Sequence, residues 1–433
     1  MASSESLETS NDLISTMPAI VIDKILKHLP LTIAAKTSIL SRSWRRIWLS
    51  CPYLAFDRAF WRGLPIADTK TDWQKGSRII SNILLHHNGR IHSIYLVLKH
   101  DNADLLVDKN ASLSQWLTLL AKTCPRKIAL INWAGKWSNL VIMPSYIFHC
   151  TELVKLTLKS FVLSTPPFDF NGFPHLKHLE LFCLKFNNGI DILWNIIAKC
   201  PCLVLLRLEK CLGMDILDID APSLEKLIIR GEFVSLCLKE APRLTDVTLC
   251  STKSKMTGIE PVVATINSLA SSYNLQSLEI DGNLSKFLAA GGIFKSLPVT
   301  FNRLDRLCLA NLELSDSDVF RFSLGMVQSC PVIQDLEISI ISLSNNAVEN
   351  SYVHQNKHYD YELRKLQKVK ITGITGSSAE LKFIEHVLAK SVVLEMMFFK
   401  CEKTDAVSEL KVLKQLIRFP RASTKAQFVY LEE

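Results

Sequence analysis

The chain has 433 residues, 48% of them hydrophobic and 21% charged, with a net charge of +8. That length and balance suit a folded soluble protein with a substantial core, arranged as two or more domains or as one long repeat array. The positive charge is spread along the chain with no Lys/Arg block, which argues against a nucleic-acid binder, and no apolar run reaches the ~18–20 residues that span a bilayer.

The first residues, MASSESLETSND, are polar and acidic and hold no apolar signal region. Residues 1–10 are therefore expected to be disordered, and the product is expected in the cytoplasm, the nucleus or both. Twelve cysteines are present. Without secretion they are expected to be reduced, and most lie beside apolar or proline positions, where a thiol acts as a small buried hydrophobe.

Residues 11–57 read as a small helical module. Pro18 suits the first turn of a helix, and Ile22, Ile25, Leu26 and Leu29 then follow at helical spacing until Pro30 stops it. Thr32 can cap a second short helix through Ala34, Ala35 and Ile39. Ser41 or Ser43 can cap a third, in which Leu40, Trp44, Ile47 and Trp48 fall on one side and Arg42 and Arg46 on the other. Base stacking requires aromatics and cations aimed at one ligand; the segregation here fits a packed face with a solvated back. Three helices in about 40 residues bury too little to be comfortable alone, so the apolar stripe is a candidate interface as well as a core.

Met17-Pro18, Ile25-Leu26, Leu29-Pro30, Ala34-Ala35 and the run SILSRSWRRIW together resemble the plant F-box over essentially its whole length. Met17 stands where that family usually has leucine, a volume-conserving change. The resemblance implies docking onto a Skp-family adaptor and, through it, a cullin–RING ubiquitin ligase. Carried over position by position, it implies adaptor contacts at Met17, Pro18, Ile22, Leu26, Leu29 and Pro30, joined by Leu40 and Trp44.

Residues 58–341 carry an irregular repeat. From residue 150 the spacing apolar, two residues, apolar, one residue, apolar recurs ten times, from Leu153, Leu156 and Leu158 through Leu203, Leu206 and Leu208 to Leu394, Met397 and Phe399. A weaker copy sits at Ile91, Ile94 and Leu96. The last two positions of each copy are two apart, as in a strand with one buried side, and copies recurring every roughly 20–33 residues match a leucine-rich repeat. Proline often precedes the strand, as at Cys200-Pro201, Ala221-Pro222, Ala241-Pro242 and Cys330-Pro331, and ends the segment before it. The longer return segments, GIDILWNIIAKC and DSDVFRFSLGMVQSC, have helical spacing, with Asp316 and Asp318 as helix-start residues. The asparagine or cysteine of the repeat template survives clearly only at Cys211, so curvature should be irregular.

Ser342 to Tyr361 is polar and reads as a loop. Residues 362–433, with Gly373 and Gly376 marking turns, a helix over Ala379 to Leu388, and the tail RFPRAS, resemble the plant FBD domain and read as the last two repeat-like units. The fold class is thus α/β: a three-helix F-box, an irregular leucine-rich-repeat solenoid and an FBD-like end. The whole resembles the plant F-box/FBD/LRR-repeat family.

Chemistry is hard to find. Cys200, Cys202 and Cys211 lack a four-ligand zinc set. His175 and His178 point to different places, and His86-His87 suits a helix end. There is no phosphate-binding glycine loop, nucleophile elbow or paired-carboxylate motif, so neither catalysis, a metal nor a cofactor is expected. The remaining surface is the open face of the repeat strands. Its substrate-binding candidates are Lys155, Lys159, Arg207, Lys226 and Arg230, then the acidic Glu279, Asp281, Asp335 and Glu337. They form either a solvated face of mixed charge or a protein-reading surface. The expected function is a non-catalytic substrate-recognition subunit of an SCF-type ligase, with an unknown protein substrate and neither nucleic acid nor membrane as partner. The alternatives are a ligase-independent interaction scaffold and a small-molecule-dependent receptor.

Overall fold

Two prolines set the bounds of the first helix. Pro18 precedes α1 (Ala19–His28), its carbonyl accepting from the Val21 and Ile22 amides. Leu29 is extended, with ψ of 143°, as a residue before proline must be. The structure, a computed structural model, describes residues 17–64, 69–99, 103–133, 137–187, 189, 191–239, 241–251, 260–290, 300–341, 361–402 and 406–431. The expectations for residues 1–10 and 342–360 lie outside these. Pro30, not Thr32, begins α2 (Leu31–Lys36), and no side chain caps it. Pro30, with φ of −53°, already starts the helix, so Thr32 falls one residue inside. Ser41 does cap α3 (Arg42–Leu49), its hydroxyl accepting from the Trp44 amide at 3.2 Å.

The chain divides into two compact units, residues 1–188 and 189–433. In the first, α1 and α2 pack on β1 (Tyr53–Phe56). Four more parallel strands follow β1 in chain order: β2 (Ser93–Leu98), β3 (Lys127–Asn132), β4 (Lys155–Lys159) and β5 (His178–Phe182). Parallel neighbours need a crossover. It is helical twice, as α5 (Thr69–His86) between β1 and β2, after the short α4 (Arg58–Arg62), and as α6 (Leu106–Thr123) before β3. Later crossovers carry a small sheet of Val141–Ile142, Phe161–Leu163 and Lys185–Phe186.

Three tryptophans knit these helices to the sheet. Trp61 and Trp73 stack at 5.6 Å with rings 11° apart, and Trp116 lies 6.1 Å beyond Trp73. Each buried indole N–H needs an acceptor. Trp61 donates to the Val97 carbonyl at 2.7 Å and Trp116 to the Ser81 hydroxyl at 2.9 Å. Gly76 lies against the Trp61 ring, where a Cβ would fall 2.1 Å from a ring carbon.

The second unit repeats the scheme with nine parallel strands in chain order: β6 (Leu205–Glu209), β7 (Lys226–Gly231), β8 (Asp246–Ser251), β9 (Ser277–Asp281), β10 (Arg306–Leu312), β11 (Asp335–Ile340), β12 (Lys368–Ile374), β13 (Met396–Cys401) and β14 (Gln427–Tyr430). The two helical return segments form as read, over Asp191–Ile197 and Ser317–Gln328, the latter capped by the Asp316 carboxylate. Two returns that the spacing leaves undefined are instead short paired strands, Ile216–Ile219 and Ser235–Leu238. The FBD-like segment continues the same sheet: β12, a helix over Ser378–Lys390 with a Ser377/Glu380 capping box, β13, a helix over Ala406–Arg418, and β14 as a closing strand.

The repeat leucines form the column that the spacing requires. Leu203, Leu224, Leu244, Leu304 and Leu366 are fully closed to solvent, each contributing roughly 1.5–3 kcal/mol relative to exposure. At three strand ends a non-glycine residue turns the chain in the left-handed region: Ser160 after β4, Cys183 after β5 and Lys210 after β6, with φ of 61°, 51° and 52°. Asn132 makes the side-chain bridge that the template assigns to its asparagine, but one position earlier. It is buried at the end of β3, donates to the carbonyls of Asn139 and Ser160, and accepts from buried Lys109 at 3.3 Å.

Gly76→Ala drives a methyl into Trp61. It is expected to lower stability by about 1–3 kcal/mol, the usual cost of overpacking, read as a lower urea midpoint with tryptophan emission shifted at unchanged secondary structure.

Candidate functional site

Two surfaces stand out, one on the helical module and one on the open faces of the sheets. On the helices, α1 turns Ile22 and Leu26, one helical turn apart, inward to 2% exposure each. Trp44 and Trp48 of α3 are buried as well. These side chains belong to the chain's own core. Ile22, Leu26 and Trp44, carried over above as adaptor contacts, are closed off rather than presented. Met17, Pro18 and Pro30 are exposed and Leu29 is half-buried. Leu40 does not share the inner side of Trp44: it sits in the turn before α3 and is 70% exposed beside Ile39 at 79%. Reading Leu40 on the α3 wheel fails because the chain is in a 3-10 turn over Thr37–Ile39 and only becomes α-helical at Arg42.

Seven large apolar side chains are exposed between residues 17 and 40: Met17, Ile20, Val21, Ile25, Ile33, Ile39 and Leu40. Single exposed apolar residues are ordinary, but a group of this density in so short a segment marks a contact surface. Ile20, Val21 and Ile33 escaped the sequence reading, and Ile39, expected on the second helix, is instead exposed in the 3-10 turn after it. Their signal was present: α1 holds more apolar residues than one inward stripe uses.

On the sheets, the candidate charges mostly satisfy one another. Lys155 pairs with Glu180 at 2.7 Å, and the Thr157 hydroxyl donates to the same carboxylate at 3.2 Å. Arg207 meets Glu209 at 2.6 Å, Glu209 meets Arg230 at 3.7 Å, Arg230 meets Glu279 at 3.4 Å, and Thr248 donates to Glu279 at 3.0 Å, one network across four strands. Glu337 holds Lys370 at 2.6 Å and Asp335 meets Arg306 at 3.6 Å. Half-exposed pairs of this kind contribute about 0–1 kcal/mol each. Lys159 and Lys226 extend freely into solvent.

Asp281 does not stand on the open face as expected. It is buried, and its carboxylate accepts from the Ser251 amide at 2.9 Å and the Leu284 amide at 3.1 Å. It joins β8 to the start of the helix Gly282–Ala290 and is not presented to a substrate. Burial pushes its carboxyl pKa up against the pull of those amides.

The thiols near this face are inert by position. Burial pushes Cys250 up to about 11 and Cys308 to about 12, with Asp281 and Glu279 adding to the first and Glu337 and Glu279 to the second. A nucleophilic cysteine needs the opposite shift. Cys200 donates to the Ile196 carbonyl, Cys211 is buried and Cys202 is exposed. Among the described residues no group of three His, Cys, Asp or Glu could hold a metal ion, and no helix is long and apolar enough to cross a membrane. Burial pushes the His92 imidazole below its usual range, helped by Arg126, Lys127, Lys27 and Arg90. His178 is lowered by burial and then by Lys155, with Glu180 opposing.

Parallel strands stacked on leucine columns, preceded in the chain by a three-helix module, form a leucine-rich-repeat fold. The F-box domain model matches residues 14–55, and the model for the LRR repeats of the FBD-associated F-box protein At5g56370 matches residues 113–268. The F-box/FBD/LRR-repeat protein At1g13570 of Arabidopsis thaliana is 28% identical over 98% of this chain and 99% of its own length. F-box/LRR-repeat protein 13 of the same plant is 24% identical over 97% and 96%. The solved LRR protein LIC12759 of Leptospira interrogans aligns over 85% of this chain and 94% of its own at 15% identity, with a TM-score of 0.31. Along nearly its whole length the chain is similar to plant F-box/FBD/LRR-repeat proteins.

Two measurements check this geometry. Asp281→Ala leaves two amides without their acceptor and is expected to cost about 1–3 kcal/mol in denaturant unfolding, with Asp281→Asn losing less. In an NMR titration His92 is expected to protonate below pH 6.5, and Arg126→Gln is expected to move it upward by removing a neighbouring positive charge.

Proposed function

We propose that this chain is the substrate-recognition subunit of an SCF-type cullin–RING ubiquitin ligase. Its F-box docks on a Skp-family adaptor and its repeats hold a protein substrate. The observation that carries this reading is the exposed apolar group of residues 17–40 in a module whose core is already filled by Ile22, Leu26, Trp44 and Trp48. Those seven side chains are surplus to folding, and they lie in the segment that the F-box model matches. The chain makes and breaks no bond on this reading. It holds substrate lysines near the charged conjugating enzyme, raising their effective concentration, and it works in the cytoplasm or nucleus, where that machinery operates.

Calorimetry or coprecipitation with a plant Skp-family adaptor tests it. Wild type is expected to bind at micromolar protein or below. Ile39→Asp with Leu40→Asp is expected to weaken binding by about tenfold or more, since a charge in an apolar contact is strongly disfavoured, while thermal stability changes little because both positions are exposed. Leu26→Asp is expected to unfold the module instead, so it reports core packing rather than docking. No binding by wild type at micromolar protein overturns the ligase role.

A further inference from the structure

The strand starts of the first unit gather positive charge. Across β2 to β5, Ser93, Lys127, Lys155 and His178 are register partners. One residue earlier the backbone ladder continues: the His92 carbonyl accepts from the Arg126 and Lys127 amides, the Arg126 carbonyl from Val154 and Lys155, and the Val154 carbonyl from Lys177 and His178. Arg126, Lys127, Lys155, Lys177 and two imidazoles are thereby fixed on one edge. Lys27 of α1 extends the row to β1, its ammonium 4.9 Å from the centre of the Tyr53 ring. Arg90 stands beside β2 and pairs with Glu152 at 3.4 Å. Lys155 is held by Glu180. Six fixed cations thus outnumber Glu152, Glu180 and Asp23, the last one turn before Lys27 on α1 and felt at Cys51 before β1, and the excess is felt within the edge, since burial and then Arg126, Lys127, Lys27 and Arg90 depress His92. The matching row in the second unit, Lys226, Asp246, Ser277, Arg306, Asp335 and Lys368, alternates in sign.

We infer that this edge is where the substrate is read, and that its ligand is an acidic, extended peptide segment. Four strand spacings of ~4.8 Å separate β1 from β5, a span of about 19 Å, which an extended chain at ~3.3 Å per residue covers in about six residues. Side chains on one side of such a segment recur every ~6.6 Å, so three or four acidic groups can lie along the edge, and the excess of cations supplies complementarity. Single-stranded nucleic acid fits less well. It needs open aromatic faces for its bases, and the Tyr53 ring is flanked by Lys27 and, edge-on at 5.7 Å, by His92. The inference rests on the repeats being the substrate-holding part.

Fluorescence anisotropy of the full chain with a labelled eight-residue Asp/Glu-rich peptide tests it. Wild type is expected to bind saturably, weakening about tenfold or more as salt rises from about 50 to about 300 mM, because exposed charges are screened over that range. Arg126→Glu with Lys127→Glu is expected to weaken binding by about tenfold or more, whereas Lys365→Glu with Lys368→Glu in the second unit leaves it within about twofold, all variants showing wild-type circular dichroism. Equal binding by wild type and the Arg126/Lys127 variant overturns the assignment, as does equal loss in the second-unit variant, or tighter binding of a single-stranded oligonucleotide of equal charge. Adaptor binding by the same samples separates the two readings. Peptide held without adaptor sinks the ligase role alone, and adaptor held without peptide sinks the acidic-segment assignment alone.

Discussion

Parallel pairing governs both units. A parallel strand cannot turn straight back into its neighbour, so each needs a crossover, and every strand start comes to the same edge. The leucine spacing follows from this: the strand's two inward positions and one residue before it meet the returning segment and close one column. The side-chain bridges follow too, because each strand must be left by an abrupt turn. Ser160, Cys183 and Lys210 make that turn in a left-handed conformation, and Asn132 and Asp281 hold the amides and carbonyls released there.

The helical module meets a different constraint. It is too short to bury a core of its own, and it solves this by laying α1 and α2 on the first strand. Ile22 and Leu26 are consumed in that contact, and the outward residues are left apolar. The segment has already satisfied its own fold, and its exposed isoleucines and leucine take no part in that core. The open faces of the sheets behave otherwise, with most of their candidate charges paired with neighbours, while the strand starts of the first unit keep an excess of cations.

Much of this was legible in the sequence because the repeat has a period that chemistry enforces. Leu153, Leu203 or Leu304 could be placed in the column from spacing alone, and Ser41 and Asp316 could be placed as caps because few residues serve an exposed helix start. Which face of α1 turns inward was not legible. Ile22, Ile25 and Leu26 are equally apolar, and only the position of β1 decides among them. Asp281 was misassigned for a similar reason: an aspartate alternating outward on a strand looks like a surface charge until the next helix begins directly after it. Strands at Tyr53–Phe56 and Lys127–Asn132 were missed because they lack the leucine three residues ahead. The cationic edge was invisible as a composition feature, since Arg126, Lys155 and Lys177 are far apart along the chain and only the register brings them into line.

The tryptophan stack has a practical consequence. Of the eight tryptophans, seven fall in residues 1–188, and only Trp194 belongs to the second unit. Ultraviolet emission therefore watches the first unit almost alone, while far-ultraviolet dichroism records both. If the two units lose structure at different denaturant concentrations, the two signals will separate, and the F-box and its neighbouring strands can be followed optically inside the intact chain without a label.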